Sequence, residues 1–168
     1  MLSLGVFKKS EHAIIPSFAT EQSACFDLSA CLLKCEKIVG YSMMNEKIEL
    51  YCNTDYVEIP IDFRALIPTG LIFDIPKDHS IRVHPRSGLA LKSGLIMQNC
   101  EGIIDSDYVE ECMVMIRNDS LTRLTITHGM RIAQAELVPT LRYSFNQIDG
   151  KPDRKTDRNG GFGSTGVN

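Results

Sequence analysis

From Val57 onward, proline and glycine interrupt the sequence at short intervals, and this pattern restricts the fold more than any other feature. The interrupting residues are Pro60, Pro68, Gly70, Pro76, Pro85, Gly88 and Gly94. Short apolar runs lie between them, and the pattern continues through Met113-Val114-Met115-Ile116 and Leu124-Thr125-Ile126 as far as Leu137. Short strands separated by turn residues are typical of an all-β barrel or sandwich. The sequence therefore predicts an all-β domain.

Three segments depart from this pattern or extend it. Alternation in residues 26–30 predicts a strand with Asp27 on the opposite face from Phe26 and Leu28. Ser87 as N-cap and Gly94 after the last turn predict one short helix, because good helix formers lie between them. Residues 33–54 have a weaker pattern, which allows either a hairpin or a short helix followed by a strand.

Length, charge and cysteine usage limit the classes of protein. The 168 residues suit one domain, and we expect residues 1–150 to form it, with 33–54 as an insertion and 151–168 as a flexible glycine-rich arm. The net charge of −3 without a basic stripe argues against a nucleic-acid partner. No apolar run reaches membrane-spanning length, and the N-terminus lacks a signal-peptide pattern, so we expect a cytoplasmic protein without membrane association. The six cysteines contain no C-x-x-C pair, which favours reduced thiols over a metal site at Cys31, Cys35 and Cys52.

Three short motifs could carry chemistry, and each also has a plain structural explanation. Gly102-Ile103-Ile104-Asp105-Ser106-Asp107-Tyr108 reads as a strand ending in a tight turn, so its carboxylates either face a ligand or only form the turn. Pro85-Arg86-Ser87-Gly88 could bind a phosphate or simply begin the helix. The tail motif Gly160-Gly161-Phe162-Gly163 could wrap a ligand and stack on a base, or serve as a linker.

Taken together, five segments in order resemble the homotrimeric dUTPases (deoxyuridine triphosphate nucleotidohydrolases) across roughly residues 20–168. The segments are Ala24-Cys25-Phe26-Asp27-Leu28, Pro85-Arg86-Ser87-Gly88-Leu89-Ala90, Gly102–Tyr108, Gly129-Met130-Arg131-Ile132-Ala133-Gln134 and Gly160-Gly161-Phe162-Gly163-Ser164-Thr165-Gly166. The resemblance implies a distorted jelly-roll fold, a homotrimer with active sites at subunit interfaces, and Mg²⁺-assisted attack of water on the α-phosphorus of dUTP. The products are dUMP and pyrophosphate.

The resemblance also implies a role for each matching residue. Asp105 holds and activates the water, and Tyr108 lies under the deoxyribose and excludes a ribose. Asn99 pairs with uracil together with the backbone near Gly102 and Ile104, and Phe162 stacks over the base. The implied phosphate ligands are Arg86, Ser87, Gly88, Gln134, Arg158, Gly163, Ser164 and Thr165. Asp27 acts through water near a Mg²⁺ ion that the triphosphate mainly holds.

The chain departs from the family pattern at several positions. Cys25 and Glu110 stand where the family usually has glycine, and Met130 stands where it usually has an acid. The tail arginine is displaced by one residue, which leaves Arg154 as an alternative to Arg158. Two other functions stay open: a related dCTP deaminase, disfavoured because Met115 lies near the position of its required glutamate, and a nucleotide-switched regulatory protein with a protein partner bound through residues 33–54.

Overall fold

The computed structural model describes residues 2–157, and this range forms thirteen strands and one short helix. The strands are β1 (Gly5–Lys8), β2 (Phe26–Ser29), β3 (Lys37–Tyr41), β4 (Lys47–Tyr51), β5 (Tyr56–Ile59), β6 (Arg64–Pro68), β7 (Leu71–Asp74), β8 (His79–His84), β9 (Leu95–Met97), β10 (Gly102–Asp105), β11 (Met113–Asn118), β12 (Leu124–Thr127) and β13 (Arg131–Pro139). The helix α1 is Ser87–Ser93. The expected all-β fold with one short helix is confirmed. Across residues 2–157, none of the helical structure is long and apolar enough to span a bilayer.

The strands form two larger sheets and two separate pairs. One sheet has the order β10-β8-β13-β2, and the other has the order β4-β3-β6-β11-β9. The remaining pairs are β1 with β7 and β12 with β5. Each of these pairings is antiparallel. Antiparallel sheets of this kind bury one face and leave the other free to meet solvent or a ligand.

The apolar side chains of β6 and β11 lie on two faces of the sheet, one in the core and one at a cavity. Ala65 and Ile67 of β6 and Val114 and Ile116 of β11 are buried in the core. The alternate residues Leu66, Met113 and Met115 therefore point to the opposite face, because side chains alternate along a strand. These runs are apolar throughout because the second face lines a cavity.

Helix α1 ends where the sequence predicts but begins differently. Gly94 is the C-cap with φ of 67°, the left-handed conformation that glycine adopts without steric cost. The prediction that Ser87 is the N-cap is wrong, since Arg86 takes that position with extended backbone and no capping side-chain hydrogen bond. Ser87 is the first helical residue. The arginine therefore lies at the junction of β8 and the helix.

Residues 33–54 contain an antiparallel hairpin of β3 and β4, so the helical alternative for this segment is wrong. The hairpin joins the larger sheet where Gly40 lies opposite Ala65 of β6 and Tyr41 lies opposite Arg64. The Arg64 guanidinium lies 5.4 Å from the centre of the Tyr41 ring, a cation–π contact across these two strands. The hairpin is thus an extension of the sheet edge.

His128 lies between β12 and β13 and accepts a hydrogen bond at Nδ1 from the Leu32 N–H at 3.2 Å. Burial lowers the pKa of His128 below its ordinary value of 6.5, and the neighbouring His12 lowers it further, against a smaller raising effect of Asp55. The neutral imidazole is therefore the form that the folded chain favours, since protonation would also remove the acceptor at Nδ1.

This preference predicts a loss of stability on mild acidification. The folded-state pKa is depressed, so the unfolded chain binds more protons as the pH falls through 6.5, and the stabilisation present above that pH is lost. We expect the melting temperature to fall more between about pH 7.5 and pH 5.5 in the parent protein than in His128→Asn, whose amide oxygen can accept from Leu32 without titrating. Thermal melts followed by circular dichroism test this. Equal losses in the two proteins would contradict it.

Candidate active site

A cavity of about 220 Å³ opens where the two larger sheets separate. Strand β9 pairs with β11, whereas β10 pairs with β8, so residues 98–101 cross from one sheet to the other. Strand β10, at the start of the segment Gly102–Tyr108, therefore pairs with β8 and not with the preceding strand β9. The cavity walls include Leu66, Val83, Met97, Met113 and Met115 from both sheets.

Five of the residues predicted to contact nucleoside or water line this same cavity. They are Asn99, Gly102, Ile104, Asp105 and Tyr108. Gly102 leaves the space open, because a Cβ there would lie 3.2 Å from Val83 Cβ and 3.5 Å from Asn99 Nδ2. Apolar walls with a few convergent polar groups are typical of small-molecule sites.

The loop before β10 is held in a tight conformation. Cys100 has a φ of 59°, and its N–H donates to the Met97 carbonyl oxygen at 3.2 Å. A left-handed backbone at a residue other than glycine costs of the order of 1 kcal/mol and persists where the surroundings impose it. The loop therefore presents Asn99 to the cavity in one defined backbone geometry.

Asp105 ends β10, and a turn follows in which the Tyr108 N–H donates to the Asp105 carbonyl oxygen at 3.1 Å. The Asp105 carboxylate is exposed, and no side chain within residues 2–157 forms a hydrogen bond or ion pair with it. Tyr108 is 44% exposed at the edge of the cavity, and its hydroxyl donates to the Glu111 carbonyl oxygen at 3.2 Å. An unpaired carboxylate at a cavity mouth is free to hold a water molecule.

A second group of predicted residues gathers around Asp27. Arg86 Nε lies 3.0 Å from Asp27 Oδ1, and Arg131 Nη1 lies 3.0 Å from Oδ2. Arg86 also donates to the Arg131 carbonyl oxygen at 3.1 Å, while Gln134 Nε2 donates to the Pro85 carbonyl oxygen at 3.1 Å. The β2–β13 pairing sets Gln134 directly opposite Asp27. This cationic group lies next to exposed Ser87 and Gly88 in the first turn of α1.

The two groups lie toward opposite ends of β8. Asp105 pairs with Ser80, near the start of β8, whereas Gln134 pairs with His84 at its last residue. Four residues of strand span about 13 Å. One chain therefore does not bring the Asp105 carboxylate and the Asp27–Arg86 group together along this strand.

Several neighbours of these groups were not predicted as site residues. Arg131 belongs to the quoted fourth segment, but only the β2–β13 pairing reveals its contact with Asp27. Met113 and Met115 line the cavity, but nothing in the uniformly apolar run of β11 distinguishes them from buried Val114 and Ile116. Glu111, which contacts Tyr108 through its carbonyl oxygen, had no sequence signal.

The departures from the family pattern at Cys25 and Glu110 do not require a glycine-like backbone. Among the described residues other than glycine, positive φ occurs at Lys34, Asn45, Asp62, Asp78 and Cys100. Cys25 and Glu110 are outside that set. The predicted tail residues Arg158, Phe162, Gly163, Ser164 and Thr165 lie outside the described residues, whereas the alternative Arg154 lies in the exposed segment 151–157.

Comparison with known proteins identifies the family. The dUTPase family model matches residues 47–166, which is most of the chain. The chain belongs to the dUTPase family. A deoxyuridine 5'-triphosphate nucleotidohydrolase of Roseobacter denitrificans is 43% identical over 120 residues, covering 71% of this chain and 78% of that protein.

Solved dUTPases share the fold across nearly the whole chain. A mutant dUTPase of Staphylococcus bacteriophage 80alpha with dUpNHpp superposes with a TM-score of 0.77 at 21% identity, covering 99% of this chain and 100% of that one. A mutant dUTPase from phage phi11 of S. aureus, described with a coordinated structural Mg(II) ion, has a TM-score of 0.71 at 18% identity and covers 90% and 100%. The expected dUTPase fold is thereby confirmed.

Proposed function

We propose that the protein hydrolyses dUTP to dUMP and pyrophosphate. Membership of the dUTPase family supports this reaction. The main structural support in this chain is the cavity, which is lined by Asn99, Gly102, Ile104, Asp105 and Tyr108. An apolar cavity with an amide and exposed backbone at one end and a free carboxylate at its mouth suits a base, a sugar and an attacking water.

Asp105 acts as the general base in this proposal. Its carboxylate accepts a proton from a water molecule whose oxygen forms a bond to the α-phosphorus, while the bond from that phosphorus to the oxygen bridging to the β-phosphorus breaks. Pyrophosphate leaves, and the nucleoside keeps one phosphate. The exposed, unpaired state of the Asp105 carboxylate supports this role, since no protein cation competes for it within residues 2–157.

Selection of deoxyuridine comes from the cavity. Asn99 and the backbone around Gly102 and Ile104 pair with uracil, and the cavity rejects the thymine methyl group sterically. Tyr108 lies along the deoxyribose and blocks a ribose 2′-hydroxyl. A site that excludes a substituent by contact with a rigid ring discriminates through transition-state binding.

Arg86, Ser87, Gly88 and Gln134 bind the triphosphate in this proposal, with Arg131 as an additional cation. Asp27 holds the Arg86 side chain in place, since its Oδ1 lies 3.0 Å from Arg86 Nε. A guanidinium fixed in this way can present its remaining N–H groups to phosphate oxygens without first losing side-chain entropy.

The side chains present suit a Mg²⁺ ion that arrives with the substrate. Within residues 2–157, no group of three His, Cys, Asp or Glu could hold a metal ion, so the chain offers no resident cage there. Both Asp27 oxygens already contact arginine, which disfavours direct binding to the ion. They can still accept hydrogen bonds from water that the ion coordinates. Mg²⁺ commonly keeps several waters and binds through substrate phosphates, where it neutralises developing charge.

The separation of the two parts of the site along β8 supports assembly of the site from more than one copy. A homotrimer supplies Asp105 from one subunit and Arg86 from another. The segment after β13 supports association, because Leu141, Tyr143 and Phe145 alternate along the chain and are 84%, 75% and 92% exposed. Exposed apolar side chains in a row are typical of surfaces that another chain covers. The proposed closure of the 151–168 arm over this site remains a prediction.

No specific observation favours either of the two alternative functions. Deamination of dCTP needs a glutamate where Met115 lines the cavity. A protein partner at residues 33–54 remains an untested prediction, as does cytoplasmic localisation.

Pyrophosphate release from dUTP, dTTP, dCTP and UTP, each with and without Mg²⁺, tests the proposal. We expect a far higher kcat/KM for dUTP than for the other three nucleotides and a strong fall when the metal is chelated. Ammonia release from dCTP would instead identify a deaminase, and tight dUTP binding without turnover would identify a nucleotide-binding regulator.

A further inference from the structure

The carboxylate of Glu111 links three parts of the chain beside the cavity. Its Oε1 accepts from the Gly70 N–H at 2.8 Å, and its Oε2 lies 3.0 Å from Lys9 Nζ. The Glu111 side chain is only 15% exposed. These contacts hold Glu111 in place, three residues after Tyr108 at the end of the Asp105–Tyr108 turn.

The anchor on the other side of these contacts is rigid. Gly70 has a φ of 69°, and a Cβ there would lie 2.8 Å from Ala13 Cβ and 2.9 Å from Cys31 Sγ. Its carbonyl oxygen accepts from the Lys9 N–H at 2.9 Å. The turn between β6 and β7 is therefore tightly packed, which opposes its movement with Glu111.

The backbone of Glu111 passes this restraint to the cavity. The Tyr108 hydroxyl donates to the Glu111 carbonyl oxygen, while the next residue, Cys112, donates its N–H to the Leu71 carbonyl oxygen at 2.8 Å. Thr69 Oγ1 donates to the Cys112 carbonyl oxygen at 2.6 Å. The tyrosine hydroxyl is thus tied to a backbone segment that is held on both sides.

We propose that Glu111 is a positioning residue that holds the Tyr108 ring in place and so sets the selection of deoxyribose over ribose. This inference rests on the proposed function, in which Tyr108 contacts the sugar. Without the Glu111 carboxylate, the carbonyl oxygen that receives the Tyr108 hydroxyl is held only through the contacts of Cys112, and the ring can move aside. A mobile ring excludes ribose less strongly than a fixed ring. Binding of a ribose nucleotide then requires only the free energy needed to displace the ring.

A role confined to folding would give a different result. Loss of stability alone lowers the amount of active protein and changes kcat for dUTP and UTP equally. Loss of positioning changes the ratio of kcat/KM for the two substrates, because only the ribose meets the displaced ring. The ratio is therefore the readout that separates the two roles.

The test compares this ratio in five variants with that of the parent protein. We expect Glu111→Ala and Tyr108→Phe each to lower the dUTP/UTP ratio by roughly tenfold, since both remove the restraint while keeping the ring. Glu111→Gln should largely keep the parent ratio, because its amide oxygen can still accept from Gly70. Glu110→Ala is the matched control, being exposed and adjacent, and should leave the ratio unchanged. Tyr108→Ala should lose selection of deoxyribose altogether.

The outcomes separate this inference from the proposed function. If Tyr108→Ala loses selectivity while Glu111→Ala and Tyr108→Phe keep it, the positioning role is wrong and the function of Tyr108 stands. If Tyr108→Ala keeps the parent ratio, the sugar contact itself is wrong. Should Glu111→Ala fail to fold, Tyr108→Phe decides the matter, and a parent-like ratio in that variant overturns the inference.

Discussion

Asp105→Asn is expected to abolish dUTP hydrolysis while leaving nucleotide binding intact. The substitution keeps the shape of the side chain at the end of β10 but removes the basic oxygen that accepts the proton from water. Removal of a general base typically lowers kcat by about 10²- to 10⁴-fold. Binding should survive because the base, sugar and phosphate contacts assigned to Asn99, Tyr108 and Arg86 do not involve the Asp105 carboxylate.

Single-turnover kinetics with dUTP and calorimetric titration with an imido analogue of dUTP measure the two effects separately. Asp107→Asn is the matched control, since Asp107 is exposed and lies two residues away in the same segment. We expect the control to keep most of the parent kcat. An Asp105→Asn variant with more than about a tenth of the parent rate would remove this carboxylate from the chemistry.

The strands and the helix could be predicted because their signals are local. Proline and glycine mark the turns, and short apolar runs such as Met113-Val114-Met115-Ile116 mark the strands between them. Gly94 ends the helix for a conformational reason that acts within one turn of chain. The predicted N-cap at Ser87 was wrong because the start of the helix depends on contacts outside the local sequence. Strand β8 and the contact of Arg86 with Asp27 set where the helix begins.

The sequence could predict which residues belong to the candidate site but not how they are arranged in space. Motifs pointed to Asp105, Tyr108, Arg86 and Gln134, yet only strand pairing shows that β10 leaves β9 to pair with β8 and opens the cavity. Contacts such as that of Glu111 with Gly70 join residues 41 positions apart. No local pattern records a contact of that separation, since it depends on which strands become neighbours.

The arrangement also supports the proposal that one active site takes its parts from two copies of the chain. Asp105 and the Asp27–Arg86 group lie toward opposite ends of β8, and Arg86→Ala should by itself remove most activity by weakening triphosphate binding. Mixed assemblies of Asp105→Asn and Arg86→Ala subunits contain some sites with both residues intact. Every trimer that contains both variants has about one site in three that combines an intact Asp105 with an intact Arg86 from a neighbour.

The decisive measurement is the dUTP turnover of such mixed assemblies, obtained by co-expressing the two variants with different affinity tags and purifying through both. The separate variants, combined after purification without subunit exchange, serve as the control and should be inactive. We predict recovery to about one third of the parent turnover per site in the doubly purified assemblies. Mixed assemblies as inactive as the separate variants would contradict the shared site, because each chain would then have to supply both residues to its own site.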